Sequence, residues 1–306
     1  MIDLTVDIGR LRLKNPVLTA SGTCGYGREY AHILDLNQLG GIMVKGTSLV
    51  PWAGNPAPRV VETPAGMLNA IGLQNPGLDY FLHTELPWLR QFDTAVVVNI
   101  AAHQIEEYAE LARRLDNAAG VAALEVNISC PNVRQGGLSF GSDPLTAHRV
   151  TAAVRQATSL PVIVKLTPNV TDIAALARAV AEAGADAVSL INTLLGMVID
   201  VRARRPALGN IVGGLSGPAI RPVAVRMVWE VAGAVSIPVI GMGGITCAED
   251  ALQFLMAGAS AVAIGTATFA NPRAPFEVMK GMAAFLQEEG FTAVSDIIGL
   301  ARRGIA

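Results

Sequence analysis

Short apolar runs alternate along this chain with segments whose apolar residues recur at helical spacing. Asp3 to Arg12 alternates apolar and polar positions about Gly9, which predicts a β-hairpin ahead of the main fold. Val17-Leu18-Thr19-Ala20 reads as a first buried strand and Gly41-Ile42-Met43-Val44-Lys45 as a second, with a helix between them. Ala95-Val96-Val97-Val98-Asn99 is a third, and after it Ile105, Tyr108, Ala109 and Ala112 share one helical stripe. Val121 to Val126 is a further buried strand that runs into Asn127-Ile128-Ser129-Cys130-Pro131-Asn132, where a proline with no N–H and a fixed φ ends it. Cys130 therefore sits where a strand stops.

The second half repeats itself. Ser159-Leu160-Pro161-Val162-Ile163 returns as Ser236-Ile237-Pro238-Val239-Ile240, and Ala183-Gly184-Ala185-Asp186-Ala187-Val188 as Ala257-Gly258-Ala259-Ser260-Ala261-Val262. Each is a strand-helix-strand unit whose helix ends at a glycine suited to a left-handed cap. Thr246 and Glu249 form a capping box before the second unit's helix. Strands near residues 17, 42, 96, 123, 162, 187, 239 and 261 make eight, and their even alternation with helices predicts a (β/α)8 TIM barrel with a short N-terminal β-hairpin, one domain over 1–306. A doubly wound open sheet is the alternative. In a barrel the strand C-termini share one mouth, and here they are polar: Ser21, Lys45, Asn99, Asn127, Lys165, Asn192, Gly241 to Gly244, and Gly265-Thr266.

Composition narrows the function classes. Charged residues are 16% and apolar ones 51% of the 306, so much of the sheet is buried on both faces or part of the surface is an interface. The net charge of -2 does not invite nucleic acid or an anionic membrane. No apolar run approaches the roughly 18 residues of a membrane span, and Met1-Ile2-Asp3-Leu4 opens no signal-peptide pattern, so the chain reads as cytoplasmic. Its three cysteines form no Cys-x-x-Cys and its four histidines fall in helices or loops, which argues against a protein-held zinc or iron-sulfur site and leaves no metal expected.

A lone strand-end cysteine is more often a small buried hydrophobe than a catalyst. The flanking asparagines, and the glycine-rich Val133 to Leu138 that can close as a lid, tip Cys130 toward function. Cys24 and Cys247 read as structural, although a helix N-terminus near Cys247 would lower its thiol pKa. Lys45 and Lys165 end apolar strands; either one alone can snorkel to solvent, but two at one mouth point to an anionic group or a Schiff base. Gly241 to Gly244 with Gly265-Thr266 fit the phosphate cradle that barrels build after strands seven and eight, close to a helix N-terminus. Arg202-Ala203-Arg204-Arg205 reads as a solvated loop. A phosphate site, a mouth lysine and a cysteine amid asparagines together suggest a bound flavin mononucleotide (FMN) facing a base, and the pattern alone goes no further.

Several long segments carry a family resemblance: Asn15 to Gly22, Val44-Lys45-Gly46-Thr47, Glu62 to Gly77, and Asn127 to Asn132. Nearly end to end, the chain resembles the soluble class 1 dihydroorotate dehydrogenases. The Glu62 to Gly77 segment and the cysteine are most similar to the NAD-linked subclass, 1B. The membrane-bound class has a serine base and an N-terminal extension. The resemblance implies oxidation of dihydroorotate to orotate in de novo pyrimidine (UMP) biosynthesis. Cys130 would be the general base at C5 and FMN the hydride acceptor from C6. Lys45, Asn69, Gly72, Leu73, Asn127, Asn132, Asn192 and Thr193 would grip the substrate. Lys165 would lie at the flavin N1–C2 edge; Ser21, Gly22, Lys45, Gly46, Asn99, Asn127, Ile191 and Gly217 would meet the ring or ribityl chain, and Gly243, Gly244, Gly265 and Thr266 the phosphate. It further implies a dimer of this chain within a heterotetramer, whose electron-transfer subunit carries FAD and a 2Fe–2S cluster and reduces NAD. Cys24 departs from the aromatic or apolar residue expected near the flavin.

Rival readings differ in their requirements. A tRNA-dihydrouridine synthase needs a basic surface and usually an extra helical domain. A dihydropyrimidine dehydrogenase-type module is closer in chemistry, but Asn132 after the Cys-Pro pair favours orotate. A Schiff-base aldolase would use Lys165 and leave Cys130 without a role, and a non-catalytic barrel would be colourless.

Overall fold

Eight strands pair in chain order, all parallel: Val17–Thr19, Gly41–Met43, Ala95–Ile100, Ala123–Asn127, Val162–Lys165, Ala187–Leu190, Val239–Met242 and Ala261–Ile264. The last returns to the first, with Val262 beside Val17 and Ile264 beside Thr19, so the sheet closes into the expected barrel. The computed structural model describes residues 2–128, 134–135, 138–139 and 141–304, with only the backbone given for the two short pairs. Every residue of Ala123–Asn127 and Val162–Lys165 is buried, because helices cover one face of each strand and the barrel interior the other.

The helices follow their apolar stripes. Ile105–Asp116 buries Ile105, Tyr108, Leu111, Ala112 and Leu115, while Ala109 lies at the stripe's half-buried edge. Gly184 and Gly258 take φ of +94° and +117° after the Ile173–Glu182 and Ala248–Ala257 helices, as the repeated pattern predicted. Two expectations fail. Turns and a short 3-10 helix, Leu36–Gln38, replace the helix between the first two strands, since Gly22, Gly25 and Gly27 all adopt positive φ there. The capping box sits one residue later than predicted: Cys247 is the N-cap and Asp250 the reciprocal partner.

The hairpin, Val6–Ile8 with Leu11–Leu13, turns at Gly9 and closes the end of the barrel where strands begin. Arg10 at its tip donates to the Asp186 carboxyl at 2.7 Å and to the carbonyls of Ser159 and Leu160. Over the opposite end lies an antiparallel four-stranded sheet in the order Leu194–Gly196, Gly213–Ser216, Gly66–Asn69, Val60–Thr63. It has no counterpart in the sequence reading. Two long insertions, after the second and sixth barrel strands, supply it, and their backbones touch so closely that a Cβ on Gly66 would lie 1.9 Å from the Ser216 carbonyl oxygen. Arg202 to Arg205 are exposed, as expected, with Arg202 to Arg204 in a turn and Arg205 opening a two-residue strand.

Candidate functional site

The strand C-termini and the four-stranded sheet enclose a cavity of about 490 Å³, within the range of small-molecule sites. A second pocket of about 80 Å³ shares Ser21, Lys165, Asn192, Thr193 and Thr266 with it and extends toward the last two barrel strands. Ser21, Gly22, Lys45, Gly46, Asn69, Gly72, Leu73, Asn99, Asn127, Lys165, Asn192, Thr193 and Thr266 line the larger one. Ile191, Gly217, Gly243, Gly244 and Gly265 line the smaller. Cys130 and Asn132 lie outside the described residues, as do Val133, Gly136 and Gly137 of the segment read as a lid.

Strand geometry aims these side chains. Lys165 pairs in register with Asn127 on one side and Ser189 on the other, so all three point into the barrel. It is buried, which rules out snorkelling; its ammonium lies 3.4 Å from Ser21 Oγ and has no carboxylate at ion-pair distance among the described residues. Lys45 is half-buried. The Tyr108 hydroxyl donates to the Asn127 carbonyl at 2.8 Å and so ties a covering helix to the strand end. Beneath the mouth, Glu125 is fully buried: its Oε2 accepts from Asn99 Nδ2 at 2.5 Å and its Oε1 from Ser189 Oγ at 2.6 Å. Asn99 Oδ1 is buried without a hydrogen-bond partner among the described residues.

Four glycines, Gly217, Gly243, Gly244 and Gly265, contribute to the lining of the smaller pocket. Gly244 takes φ of +77°, and a Cβ there would lie 2.7 Å from the Gly217 carbonyl oxygen, so any side chain would push the two loops apart. Asp250 fixes the loop from behind: it pairs with Arg221 and accepts the Thr246 N–H at 2.8 Å and the Thr246 hydroxyl at 2.7 Å. Burial opposes ionisation of Asp250, but the Thr246 hydrogen bonds and the Arg221 charge outweigh it and hold the carboxyl below its ordinary range.

A family model described as dihydroorotate dehydrogenase matches residues 3–286. The chain belongs to the dihydroorotate dehydrogenase family. A protein of Desulforamulus reducens named dihydroorotate dehydrogenase B (NAD(+)), catalytic subunit, is 60% identical over 300 residues, covering 98% of this chain and 99% of that protein. Proteins of the same name from Pelobacter propionicus and Alkaliphilus metalliredigens are 59% and 54% identical, each over 97% of this chain and 98% of the relative.

Membership of the dihydroorotate dehydrogenase family implies FMN, and the cavity fits it. Gly217, Gly243, Gly244 and Gly265 bring main chain to the smaller pocket, Lys165 brings a buried positive charge, and Asn99 Oδ1 is an acceptor unmet among the described residues. Among the described residues no group of three or more His, Cys, Asp and Glu can hold a metal, and no helix is long and apolar enough to cross a membrane. The other cysteines stand apart. Cys24 is buried, lines neither pocket, and burial pushes its thiol up to about 12. Cys247 is exposed and its thiol is raised, by partial burial and the neighbouring Asp250, which reverses the expected effect of the helix N-terminus.

Sequence reasoning missed Asn55, Asn169 and Ser216 in the cavity wall and Glu125 and Ser189 below it. Asn169 had a usable signal, directly after the Pro168 that follows Lys165-Leu166-Thr167; it bridges Thr193 O and Leu195 N–H at 3.0 and 2.9 Å. Glu125 had one too, a charge inside an apolar strand, where it must find partners.

Proposed function

We propose that this chain oxidises dihydroorotate to orotate, the dehydrogenation step of pyrimidine synthesis, as the FMN-binding catalytic subunit of an NAD-linked dihydroorotate dehydrogenase. The carrying observation is convergence: every described residue expected to touch cofactor or substrate lines one of two pockets that share Lys165 and Thr266. When bound, FMN supplies the acceptor for the hydride leaving C6 of dihydroorotate. Gly243, Gly244, Gly265 and Thr266 hold its phosphate, and Ser21, Gly22, Gly46, Asn99, Ile191 and Gly217 border its ring and ribityl chain. Lys165 places positive charge beside the N1–C2 edge, where negative charge gathers on reduction. Lys45, Asn69, Gly72, Leu73, Asn127, Asn132, Asn192 and Thr193 orient the substrate's carboxylate and ring amides. Cys130 takes the C5 proton; a thiol's reference pKa of about 8.5 suits a base that strengthens in mild alkali.

The same reading places the chain in the cytoplasm as a dimer inside a heterotetramer, whose second subunit carries FAD and a 2Fe–2S cluster and delivers electrons to NAD. The net charge of -2 disfavours the tRNA-binding alternative.

Purified protein should be yellow and release FMN on denaturation; a colourless preparation that cannot be reconstituted would sink the flavin assignment. Dihydroorotate added anaerobically should bleach it, and Cys130→Ala should slow bleaching by about 10²- to 10⁴-fold. Unchanged bleaching in the variant would remove Cys130 as base. NAD turnover by this chain without a partner would contradict the subunit arrangement.

A further inference from the structure

Glu125 lies inside the barrel, fully buried, and lines neither of the two pockets. Both of its carboxyl oxygens are acceptors, one for Asn99 Nδ2–H and one for the Ser189 hydroxyl. An amide has one donor end and one acceptor end. Because Glu125 takes the donor end of Asn99, the acceptor end, Oδ1, must face the other way. There it lies beside Gly46 in the cavity wall: a Cβ on Gly46 would be 3.0 Å from it. Oδ1 has no partner among the described residues, and a buried acceptor left so costs about 1–3 kcal/mol unless a ligand donor meets it.

We infer that Glu125 is a positioning residue which fixes the polarity of the Asn99 amide, so that the cavity presents an acceptor to a ring N–H of the flavin. The inference rests on the flavin assignment above. An oxidised isoalloxazine ring carries a single N–H, at N3, between two carbonyls. Lys165, Asn127 and Asn99 occupy the ends of three successive strands of the barrel wall. With Lys165 at the N1–C2 edge, the next donor along that pyrimidine edge is N3–H, which needs the acceptor that Asn99 Oδ1 supplies. Were the amide reversed, two N–H groups would face each other.

The test reconstitutes the protein with FMN labelled with ¹⁵N at N3 and follows the N3–H proton by NMR, with FMN affinity measured in parallel. In the wild type this proton should exchange slowly with water. Glu125→Met removes the anchor of the Asn99 amide, and exchange should quicken by about tenfold or more, with FMN bound about tenfold more weakly. Glu125→Asp keeps a carboxyl but withdraws it by one methylene; it should show the same loss and serves if the methionine variant does not fold. Glu125→Gln retains an oxygen that can accept from Asn99 Nδ2 and should preserve slow exchange, a rescue that mere filling of the barrel by Met cannot give. Slow exchange in folded, FMN-loaded Glu125→Met or Glu125→Asp would overturn the inference, as would fast exchange in the wild type. Wild-type protein that binds no FMN would instead overturn the flavin assignment, and this inference with it.

Discussion

The two ends of the barrel solve opposite problems with the same kinds of residue. Where strands begin, the hairpin tip seats Arg10 against Asp186, which also takes Arg155 at 2.9 Å and the Val162 N–H at 2.8 Å. Charge and partner are matched, and nothing is left for a ligand. Where strands end, Lys165 is more deeply buried, yet among the described residues it has no carboxylate at ion-pair distance and Asn99 Oδ1 has no hydrogen-bond partner. At the first end the half-buried Asp186 carboxyl has its partners built in. At the second, the proposed flavin and substrate would supply the partners, so the free protein would hold open at its mouth interactions that its base has already realised.

Lys165→Met sharpens the contrast most, because its two effects should have opposite signs. Removing a buried ammonium that lacks an anion should stabilise the FMN-free protein by about 1 kcal/mol in urea unfolding. The same change should lower the rate of flavin reduction by dihydroorotate about 10²- to 10³-fold, as expected when a positive group is withdrawn from developing negative charge. A variant that loses stability and keeps its rate would show that Lys165 belongs to the scaffold.

Asp186→Asn tests the other end. It leaves Arg10 and Arg155 facing a neutral amide, and Arg10 is partly solvated, so the expected cost is about 2 kcal/mol of unfolding free energy. FMN affinity and the rate of flavin reduction should stay within about twofold of wild type, since additivity holds for distant sites. A drop in FMN affinity with unchanged stability would break the separation between the two ends.

That separation also describes what could be read from the chain. The barrel was legible because each strand is a local run: Val162-Ile163-Val164 announces burial, and Lys165 after it announces a mouth. The repeated Ala-Gly-Ala segments carried the helix ends, and Gly9 carried the hairpin turn. The four-stranded sheet over the mouth was not legible, because its central pairing joins Asn69 to Gly214, 145 residues away, and no local pattern encodes such a meeting. The first crossover was misread as a helix because apolar spacing outweighed the glycines at 22, 25 and 27. The direction of the Cys247 shift was missed because burial, helped by the Asp250 charge, outweighs the Asp250 N–H that the helix N-terminus offers the thiol. Glu125 was absorbed into a strand, although it is the residue that links the interior of the barrel to the cavity. Cys130 and Asn132 lie outside the described residues and rest on the sequence pattern and the resemblance.

The smallest expected effect is a pH dependence that belongs to the base of the barrel. Burial pushes the Asp186 carboxyl up, but the hydrogen bonds from Arg10 and the Val162 N–H, with the charges of Arg10 and Arg155, outweigh it and hold the group below its ordinary value of 3.8. A carboxyl depressed in the folded state contributes stability that is fully present above the unfolded value and disappears as the pH falls through the folded one. Wild-type stability should therefore fall between about pH 5 and the folded-state value, and Asp186→Asn should fall less over that window. Other depressed carboxyls, Asp116 and Asp250 among them, contribute the same slope to both proteins, so the difference between the two urea-midpoint curves isolates Asp186. If the curves run parallel down to about pH 3, the Arg10–Asp186–Arg155 cluster contributes packing without charge, and the base of the barrel is held by the hairpin's apolar face instead.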